Sequence, residues 1–274
     1  MNSNSRVVIT GSSGFIGSSV RKYFKEHKVP CLGISRKTSK ETDIVVKNYH
    51  EVVNYNDGNT LLINLAGNNT SISNNEINFI NVLSESYKEK MIFVSSSKVY
   101  GYDFEKSMKE NRELLNLNDY SKSKISLEKK ILKNKGMILR LSNVYGKGMS
   151  RDNIFNILHD QIIGDKKEIT LKNMKSIRDF IYIDDFCECL LKIVLSKVKN
   201  LILNIGTGKG TDVLTLIKYI CKTLGHDYTD KHITSIGLTE SRLVLDIGLS
   251  KKIYNWVPKI DIEKGIQEWL KQIK

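Results

Sequence analysis

The first chemical feature of the sequence is a tyrosine followed four residues later by a lysine, which occurs as Tyr102/Lys106 and as Tyr120/Lys124. On a helix this spacing places the phenol and the ammonium on one face, one turn apart. Because the ammonium stabilises the phenolate, we expect the tyrosine pKa to move from about 10 toward neutrality, where a phenol can act as an acid or base. With 12 tyrosines and 35 lysines among 274 residues, chance alone produces one or two such pairs.

Sequence context favours the second pair. Tyr120 follows an asparagine and an aspartate, both good N-cap residues, and starts a run of helical apolar spacing that extends to Lys133. Tyr102 directly follows Gly101 at the end of a predicted strand, where no helical pattern begins. We therefore predict that Tyr120 and Lys124 are the catalytic pair.

A glycine-rich turn follows the first apolar run of the chain. Gly11, Gly14 and Gly17 recur at intervals of three between a predicted strand and a predicted helix. Such a turn lets backbone N–H groups approach a pyrophosphate, and the N-terminus of the next helix stabilises the negative charge. The turn therefore predicts dinucleotide binding, with contacts from Gly11, Ser13, Gly14, Phe15, Ile16 and Gly17.

The end of the second predicted strand bears on the choice of dinucleotide. NAD-binding folds usually carry an Asp or Glu there, about 20 residues beyond the glycines, to bind the ribose 2′-hydroxyl. This chain has Arg36 and Lys37 instead. Their charges suit a 2′-phosphate, and a guanidinium can also stack on adenine. The pattern favours NADP(H), and NAD(H) is the alternative if both residues are ordinary surface cations.

These groups need a scaffold that brings strand ends together. Short β-branched runs alternate with helical stretches in the first half of the chain, which is typical of α/β proteins with a parallel sheet. We predict strands at Arg6–Thr10, Cys31–Ser35, Ile44–Lys47, Leu61–Ala66, Met91–Ser95 and Met137–Leu141. We predict helices at Phe15–His27, Glu76–Lys88 and Tyr120–Lys133. The predicted fold class is α/β, a doubly wound Rossmann sheet that binds ligands at the carboxyl ends of its strands.

The pattern loosens after Gly146. Residues 147–177 are predicted to form a polar insertion with one amphipathic helix near Asn153–Ile163. Further helices are predicted at 184–196, 212–224 and 261–272, with a strand at 201–205. We expect residues 1–146 to form a dinucleotide-binding domain to which 178–205 return. Residues 147–177 and 206–274 would form a smaller, discontinuous C-terminal substrate-binding lobe.

Composition excludes several classes of protein. Hydrophobic residues make up 40% and charged residues 27% of the chain, as in globular proteins. Apolar runs fall short of the roughly 18–20 residues of a membrane span, and the N-terminus lacks a signal-peptide pattern, so we expect a cytoplasmic protein. The four cysteines and five histidines show neither disulfide nor metal-site spacing. The net charge of +13 reflects a lysine bias along the whole chain, so we expect neither a nucleic-acid nor a membrane partner.

Further motifs follow one another along the chain in a recognisable order. They are Asn64–Gly67, Val94–Gly101, Leu139–Gly146, Arg178–Asp185, Asn204–Gly208 and Lys252–Pro258. With the glycine turn and the Tyr120/Lys124 pair, they resemble the extended short-chain dehydrogenase/reductases, the NAD(P)-dependent epimerase/dehydratase family that acts on nucleotide sugars. The resemblance runs almost from end to end.

The resemblance implies roles for residues that spacing alone does not identify. Ser96 would be the catalytic hydroxyl beside Tyr120 and Lys124, and the latter two would also contact the cofactor. Further cofactor contacts would come from Leu65, Ala66 and Gly67. The substrate, a nucleotide-diphosphate sugar, would be bound by Ser97, Asn143, Asn153, Arg178 and Arg242. The resemblance also implies a homodimer.

Departures from the family motifs narrow the expected reaction. The 4,6-dehydratases of the family carry acidic residues directly after the catalytic hydroxyl, whereas this chain has Ser97 and Lys98. Lys98 also replaces the cysteine of reductases that epimerise neighbouring carbons. We therefore expect NADPH-dependent reduction of a 4-keto nucleotide sugar, with an NAD-dependent nucleotide-sugar 4-epimerase as the alternative. A non-catalytic cofactor-binding regulator is a third hypothesis, which the retained Tyr120 and Lys124 disfavour.

Overall fold

The computed structural model describes residues 6–67, 72–103, 105–115, 117–164, 168–196, 201–227, 232–237 and 240–273. Its strands are β1 (Val7–Thr10), β2 (Cys31–Ser35), β3 (Ile44–Val45), β4 (Leu61–Asn64), β5 (Met91–Ser96), β6 (Met137–Leu141), β7 (Asn143–Tyr145), β8 (Glu168–Asn173), β9 (Ser176–Tyr182), β10 (Ile202–Ile205), β11 (Gly210–Asp212), β12 (His232–Gly237) and β13 (Ser241–Leu243). Its α-helices are α1 (Phe15–Glu26), α2 (Asn74–Tyr87), α3 (Asp119–Lys133), α4 (Ile154–Ile163), α5 (Ile183–Leu195), α6 (Val213–Leu224), α7 (Gly248–Tyr254) and α8 (Ile262–Ile273).

Seven strands form one sheet in the spatial order β10-β6-β5-β4-β1-β2-β3. Each neighbouring pair is parallel. The predicted doubly wound Rossmann sheet is therefore confirmed. The strand order reverses at β1, because β2 and β3 lie on one side of it and β4 and β5 on the other. Doubly wound sheets bind their ligands in the crevice that this reversal opens.

Both faces of this sheet are buried. In β1, Val7 and Ile9 pack into one apolar cluster, which includes residues of α1 and α5, whereas Val8 packs into a second cluster with residues of α2 and α3. Strands covered on both faces are apolar at every position, which explains why they were visible as continuous runs. Within the described part of the chain, no helix combines the length and the apolar character needed to cross a bilayer.

A second, four-stranded sheet is built around β9. This strand pairs in parallel with β7 and β13 and antiparallel with β11, while β8 and β12 form a separate parallel pair. The predicted helix near Asn153–Ile163 is present as α4, and residues 147–177 also contain β8 and the start of β9, which lie outside the sequence prediction. Several strands of this second region are only partly buried and mix polar with apolar residues, so they give no continuous apolar run.

Short helical segments, among them Tyr49–Tyr55 and α7, also lie outside the sequence prediction. Tyr49–Tyr55 form a 3-10 helix in the stretch that had no recognisable pattern. Asn48 caps this helix by accepting a hydrogen bond from the His50 N–H, and the Glu51 carboxylate accepts one from the Asn48 N–H at 2.8 Å. The seven-residue α7 is too short to show helical periodicity in the sequence.

A buried ion pair joins the helix α3 to the sheet. The Arg140 guanidinium on β6 donates to both carboxylate oxygens of Glu128 on α3, with Nη2 to Oε2 at 2.7 Å. Both side chains are at most 3% exposed. The Ser95 hydroxyl donates to the same carboxylate, and Arg140 also donates to the Tyr100 hydroxyl at 2.9 Å. Because each charge is fully hydrogen-bonded within the interior, the network ties α3 to the ends of β5 and β6.

We expect Glu128→Gln to lower the free energy of unfolding by about 3–5 kcal/mol, because it leaves the Arg140 charge buried without a counter-charge. The measurement is urea unfolding followed by circular dichroism. Glu85→Gln is the matched control, since Glu85 pairs with Lys130 of the same helix at the exposed surface and should change stability by less than about 1 kcal/mol. Equal losses in the two variants would contradict this role of the buried pair.

Candidate active site

A cavity of about 520 Å³ opens at the carboxyl edge of the seven-stranded sheet. One wall is formed by the glycine turn after β1 and by the segment after β4. The facing wall is formed by the end of β5, the first turn of α3 and the segment after β6. The cavity therefore lies at the strand-order reversal, where the parallel register of the sheet brings these segments together.

The glycine turn packs directly against the end of β4. Gly11 has φ +72°, and a Cβ on it would lie 2.8 Å from the Ala66 nitrogen and 2.8 Å from the Leu65 oxygen. A side chain at this position would push the two segments apart. The residues of this wall are Gly11, Gly14, Phe15, Ile16, Gly17, Leu65, Ala66 and Gly67.

The N-terminus of α1 fits an anionic group. Its N-cap, Gly14, offers no side-chain oxygen to the first-turn N–H groups, and the first turn contains no acidic residue. These N–H groups and the helix dipole are therefore available to the phosphates of a dinucleotide. Ser13 is predicted to contact the cofactor, and its hydroxyl lies 2.5 Å from that of Ser35 on β2.

A second cavity of about 760 Å³ lies at the ends of β2 and β3. Arg36 lines it, with its guanidinium carbon 5.2 Å from the centre of the Tyr49 ring. Lys37 does not line it, and the Lys37 backbone N–H donates to the Ser35 hydroxyl. Gly67 borders both cavities, so a ligand extended along the sheet edge could reach from the Tyr120 region to Arg36.

Ser96, Tyr120 and Lys124 line the same wall of the first cavity. The Ser96 side chain lies close enough to Tyr120 to influence the pKa of its phenol. Lys124 is 6% exposed, and its Nζ lies 3.5 Å from the Val94 backbone oxygen and 5.8 Å from the centre of the Tyr120 ring. The end of β5 and the first two turns of α3 thus bring a hydroxyl, a phenol and an ammonium into the lining of one cavity.

The helix start explains why Tyr120 is held there. Asn118 is the N-cap of α3, and its side chain accepts a hydrogen bond from the Ser121 N–H at 2.9 Å. The Ser121 hydroxyl in turn donates to the backbone oxygen of Lys98. These two bonds fix the first turn of α3 against the segment after β5.

The tyrosine of the other pair lies elsewhere. Tyr102 is 47% exposed and does not line the first cavity. Its ring lies 4.9 Å from the guanidinium carbon of Arg178. The structure therefore brings Ser96 and the predicted cofactor wall next to Tyr120 and not next to Tyr102.

The electrostatics of Tyr120 differ from the sequence expectation. Burial raises the pKa of the Tyr120 phenol, the nearby Ser96 side chain lowers it, and the Glu76 carboxylate raises it further. Burial lowers the pKa of Lys124 to about 8, against the opposing effect of Glu76 and Glu128. The expectation of a phenol shifted toward neutrality is therefore wrong for this structure, because desolvation outweighs the favourable neighbours. At neutral pH the phenol keeps its proton and is a proton donor.

The predicted substrate residues divide into two groups. Asn143 and Asn153 line the first cavity. Asn143 Nδ2 donates to the Asp179 backbone oxygen at 3.3 Å, and the Asn153 side chain caps α4. Ser97 is buried at the turn after β5 and lies outside the cavity lining.

The two predicted arginines do not line the cavity either. Arg178 donates to the backbone oxygen and the hydroxyl of Ser241, both at 2.8 Å. Arg242 donates to the backbone oxygen of Lys106 at 2.9 Å. The substrate roles of these residues stay predictions.

Sequence reasoning missed two charged residues near the phenol. Lys98 lines the cavity, but in the sequence it was only a departure from a family motif. Glu76, in the first turn of α2, lies close enough to influence the charge of both Tyr120 and Lys124. No sequence signal identifies Glu76, whereas Lys98 could have been suggested by its place two residues after Ser96 in a tight turn.

Comparison with known proteins agrees with this geometry. Residues 7–206 match the model of the NAD dependent epimerase/dehydratase family. A provisionally named UDP-glucose 4-epimerase of Methanocaldococcus jannaschii is 27% identical over 97% of this chain and 98% of its own length. The dTDP-4-dehydro-6-deoxyglucose reductase of Escherichia coli is also 27% identical, over 98% of this chain and 97% of its own length. The structure of UDP-glucose 4-epimerase from Thermotoga maritima with UDP-glucose superposes with a TM-score of 0.83 at 21% identity, covering 98% of each chain.

Proposed function

Since the chain belongs to the NAD dependent epimerase/dehydratase family of nucleotide-sugar-modifying enzymes, we propose that it reduces the carbonyl of a 4-keto nucleotide sugar with NADPH. The observation that carries this proposal is that Ser96, Tyr120 and Lys124 line the same cavity as the glycine turn. A proton donor and a hydroxyl beside the predicted cofactor site are what carbonyl reduction needs.

Each residue has a separate role in the reduction of the carbonyl group. NADPH, when bound, supplies the hydride. The Tyr120 hydroxyl donates its proton to the carbonyl oxygen, and the Ser96 hydroxyl hydrogen-bonds that oxygen as negative charge develops on it. Hydrogen bonds and charges that act more strongly on the developing oxyanion than on the ketone lower the barrier. The Lys124 ammonium, one helical turn beyond Tyr120, favours loss of the phenol proton.

The protonated state of Tyr120 favours reduction as the direction of the reaction. Reduction needs a donor at the carbonyl oxygen, whereas oxidation of an alcohol needs a base. Burial holds the pKa of Tyr120 above its usual value, which supplies the donor at neutral pH. No described acidic residue lines the wall formed by the end of β5 and the start of α3, so proton removal from a sugar carbon has no carboxylate there to perform it.

The preference for NADPH rests on Arg36. Its guanidinium lines the second cavity, which adjoins the first at Gly67. A dinucleotide laid along the glycine turn would bring its adenosine ribose toward this end of the sheet. Arg36 is then placed to pair with a 2′-phosphate, and the face of Tyr49 beside it offers an aromatic surface to the base.

The substrate class follows the named relatives. The E. coli relative is named for reduction of a 4-dehydro sugar nucleotide, and the T. maritima structure contains UDP-glucose. We propose that the substrate is a nucleotide-diphosphate sugar. It would enter between the seven-stranded and the four-stranded sheet, where Asn143 and Asn153 would contact it. A homodimer and the division of the chain into cofactor-binding and substrate-binding lobes are part of the same proposal.

The second candidate is an NAD-dependent nucleotide-sugar 4-epimerase, which the name of the M. jannaschii relative favours. The two functions differ in how the cofactor is used, because an epimerase reoxidises and rereduces its substrate with one retained NAD, whereas a reductase exchanges NADPH in each turnover. Purified protein should therefore be denatured and the released nucleotide quantified. Stoichiometric NAD would support the epimerase, and an empty protein that oxidises added NADPH with a 4-keto sugar would support the reductase.

We expect Tyr120→Phe to lower kcat by about 10²–10⁴-fold, because it removes the proton donor, while NADPH affinity changes less than threefold. The measurements are NADPH oxidation at 340 nm with a dTDP-4-keto sugar and NADPH fluorescence titration. Tyr102→Phe is the matched control, since it deletes the same hydroxyl from the other Tyr-x-x-x-Lys pair. Activity of Tyr120→Phe similar to that of Tyr102→Phe would refute the assignment.

We expect Arg36→Ala to weaken NADPH binding by about 10–100-fold while NADH binding changes little, because a charge-assisted hydrogen bond to the 2′-phosphate is lost. Fluorescence titration with each cofactor gives the two dissociation constants. Lys37→Ala is the control, because Lys37 is a neighbouring cation outside the cavity lining. If Arg36→Ala weakened both cofactors equally, the 2′-phosphate contact would be wrong.

A further inference from the structure

Lys98 reaches the candidate active site from the turn after β5. Residues Ser97–Tyr100 form a short 3-10 helix, and Ser96 is its N-cap. The Lys98 N–H donates to the Ser96 hydroxyl at 3.2 Å. The Lys98 side chain is exposed within the cavity that Tyr120 and Lys124 also line. A short, capped turn therefore fixes where the side chain starts, two residues from the catalytic hydroxyl.

Two ammonium groups flank the Tyr120 ring at similar distances. The Nζ of Lys98 lies 5.4 Å from the centre of the ring, and that of Lys124 lies 5.8 Å from it. The two lysines come from different elements, Lys98 from the turn after β5 and Lys124 from α3. The Tyr-x-x-x-Lys spacing therefore accounts for only one of the two positive charges beside the phenol.

Among the described residues, no carboxylate forms an ion pair with Lys98. Within the described ranges, its ammonium has neither an ion-pair partner nor a hydrogen-bond acceptor. Arg178 on β9 is the charged group that faces it, and that guanidinium is already bonded to Ser241. On the other elements around the phenol, Glu76 of α2 faces both Tyr120 and Lys124.

We propose that the Lys98 ammonium is a second electrostatic partner of Tyr120, which stabilises negative charge on the phenol as its proton moves to the substrate oxygen. The inference rests on the proposed function, in which Tyr120 is that proton donor. Lys98 acts on the reaction only through Tyr120, because its positive charge stabilises the phenolate. It is therefore a positioning residue and not a catalytic one.

The physical need for a second cation follows from the burial of the phenol. Desolvation and the Glu76 carboxylate both oppose phenolate, and they raise the pKa of Tyr120. Lys124 alone does not offset this effect fully, because its own burial lowers its pKa to about 8 and it loses its charge above that pH. Burial and the Arg178 charge also lower the pKa of Lys98, so neither ammonium by itself is a full counter-charge for the phenolate. Phenolate charge spreads over the ring, so an ammonium 5.4 Å from the ring centre is close enough to act on it in a partly desolvated cavity.

The test replaces Tyr120 with 3,5-difluorotyrosine and follows its ionisation by ¹⁹F NMR. The fluorines report a single site, and they bring phenol ionisation into a pH range where proteins stay folded. Against this background, Lys98→Met should raise the phenol pKa by about one pH unit, because a cation is removed. Lys98→Arg should restore most of the difference, since it returns the charge.

Lys122→Met is the matched control. Lys122 lies two residues after Tyr120 on the same helix, pairs with Asp119 at the surface and is outside the cavity lining. It should leave the phenol pKa unchanged. A phenol pKa in Lys98→Met equal to that of the parent, or equal changes in Lys98→Met and Lys122→Met, would overturn the proposal.

The catalytic consequence is tested with the natural tyrosine. Lys98→Met should lower kcat/KM by about three- to tenfold, because one charge that stabilises the developing phenolate is removed, and Lys98→Arg should restore most of the loss. An unchanged kcat/KM in Lys98→Met would show that Lys98 does not contribute to catalysis. The NMR titration needs neither substrate nor turnover, so it tests the role of Lys98 separately from the proposed function. A protein that reduced no 4-keto sugar would refute the proposed function, and the phenol titration would still decide whether Lys98 acts on Tyr120.

Discussion

The parallel register of the seven-stranded sheet is the constraint on which the candidate site depends. Parallel strands all end at one edge, and the strand order reverses at β1, so the segments after β1, β4 and β5 meet around one crevice. Residues separated by more than a hundred positions, such as Gly11 and Tyr120, therefore line the same cavity. The helices on both faces hold this register, because a one-residue shift would move each side chain of the strand into the opposite apolar cluster, where it does not fit.

Two buried carboxylates connect this edge to the rest of the molecule. Glu128 bonds Arg140 of β6 and Ser95 of β5, and so fixes α3 beside the strand that carries Ser96. Asp179 of β9 accepts hydrogen bonds from the Thr207 N–H at 2.8 Å and the Gly208 N–H at 3.0 Å, just after β10. This second carboxylate attaches the four-stranded sheet to the seven-stranded one. Each carboxylate is buried with its hydrogen bonds satisfied, which is the condition under which a buried charge is tolerated.

The charge balance of the cavity differs from that of an isolated Tyr-x-x-x-Lys pair. In water, the neighbouring ammonium would favour phenolate. In this cavity desolvation acts on both partners, raising the pKa of Tyr120 and lowering that of Lys124 to about 8. The second ammonium, that of Lys98, comes from the turn after β5 and is not part of the Tyr-x-x-x-Lys motif. The behaviour of the phenol is therefore a property of the whole cavity wall and not of the motif alone.

Much of the fold was readable from the sequence because its signals are local. The predicted strands of the large sheet are found close to their expected positions, since a strand buried on both faces is a continuous apolar run. The glycine turn and the helix of Tyr120 were also visible, because N-caps and turn glycines act on their immediate neighbours. The strands β7, β8, β9, β11, β12 and β13 were not, because several are only partly buried and mix polar with apolar residues, so they give no continuous apolar run.

The candidate site likewise combines features that the sequence shows with features that only the folded structure shows. The sequence by itself determined the doubly wound fold, the family and Tyr120 and Lys124 as candidates, since these depend on residue type and spacing, and the family resemblance added Ser96. Only the tertiary structure decided that Lys98 and Glu76 face the phenol, that Arg178 bonds Ser241, and that Tyr120 keeps its proton at neutral pH. Burial and the effect of a distant charge depend on the distances between helices and strands, and those distances are set only when the whole chain has folded.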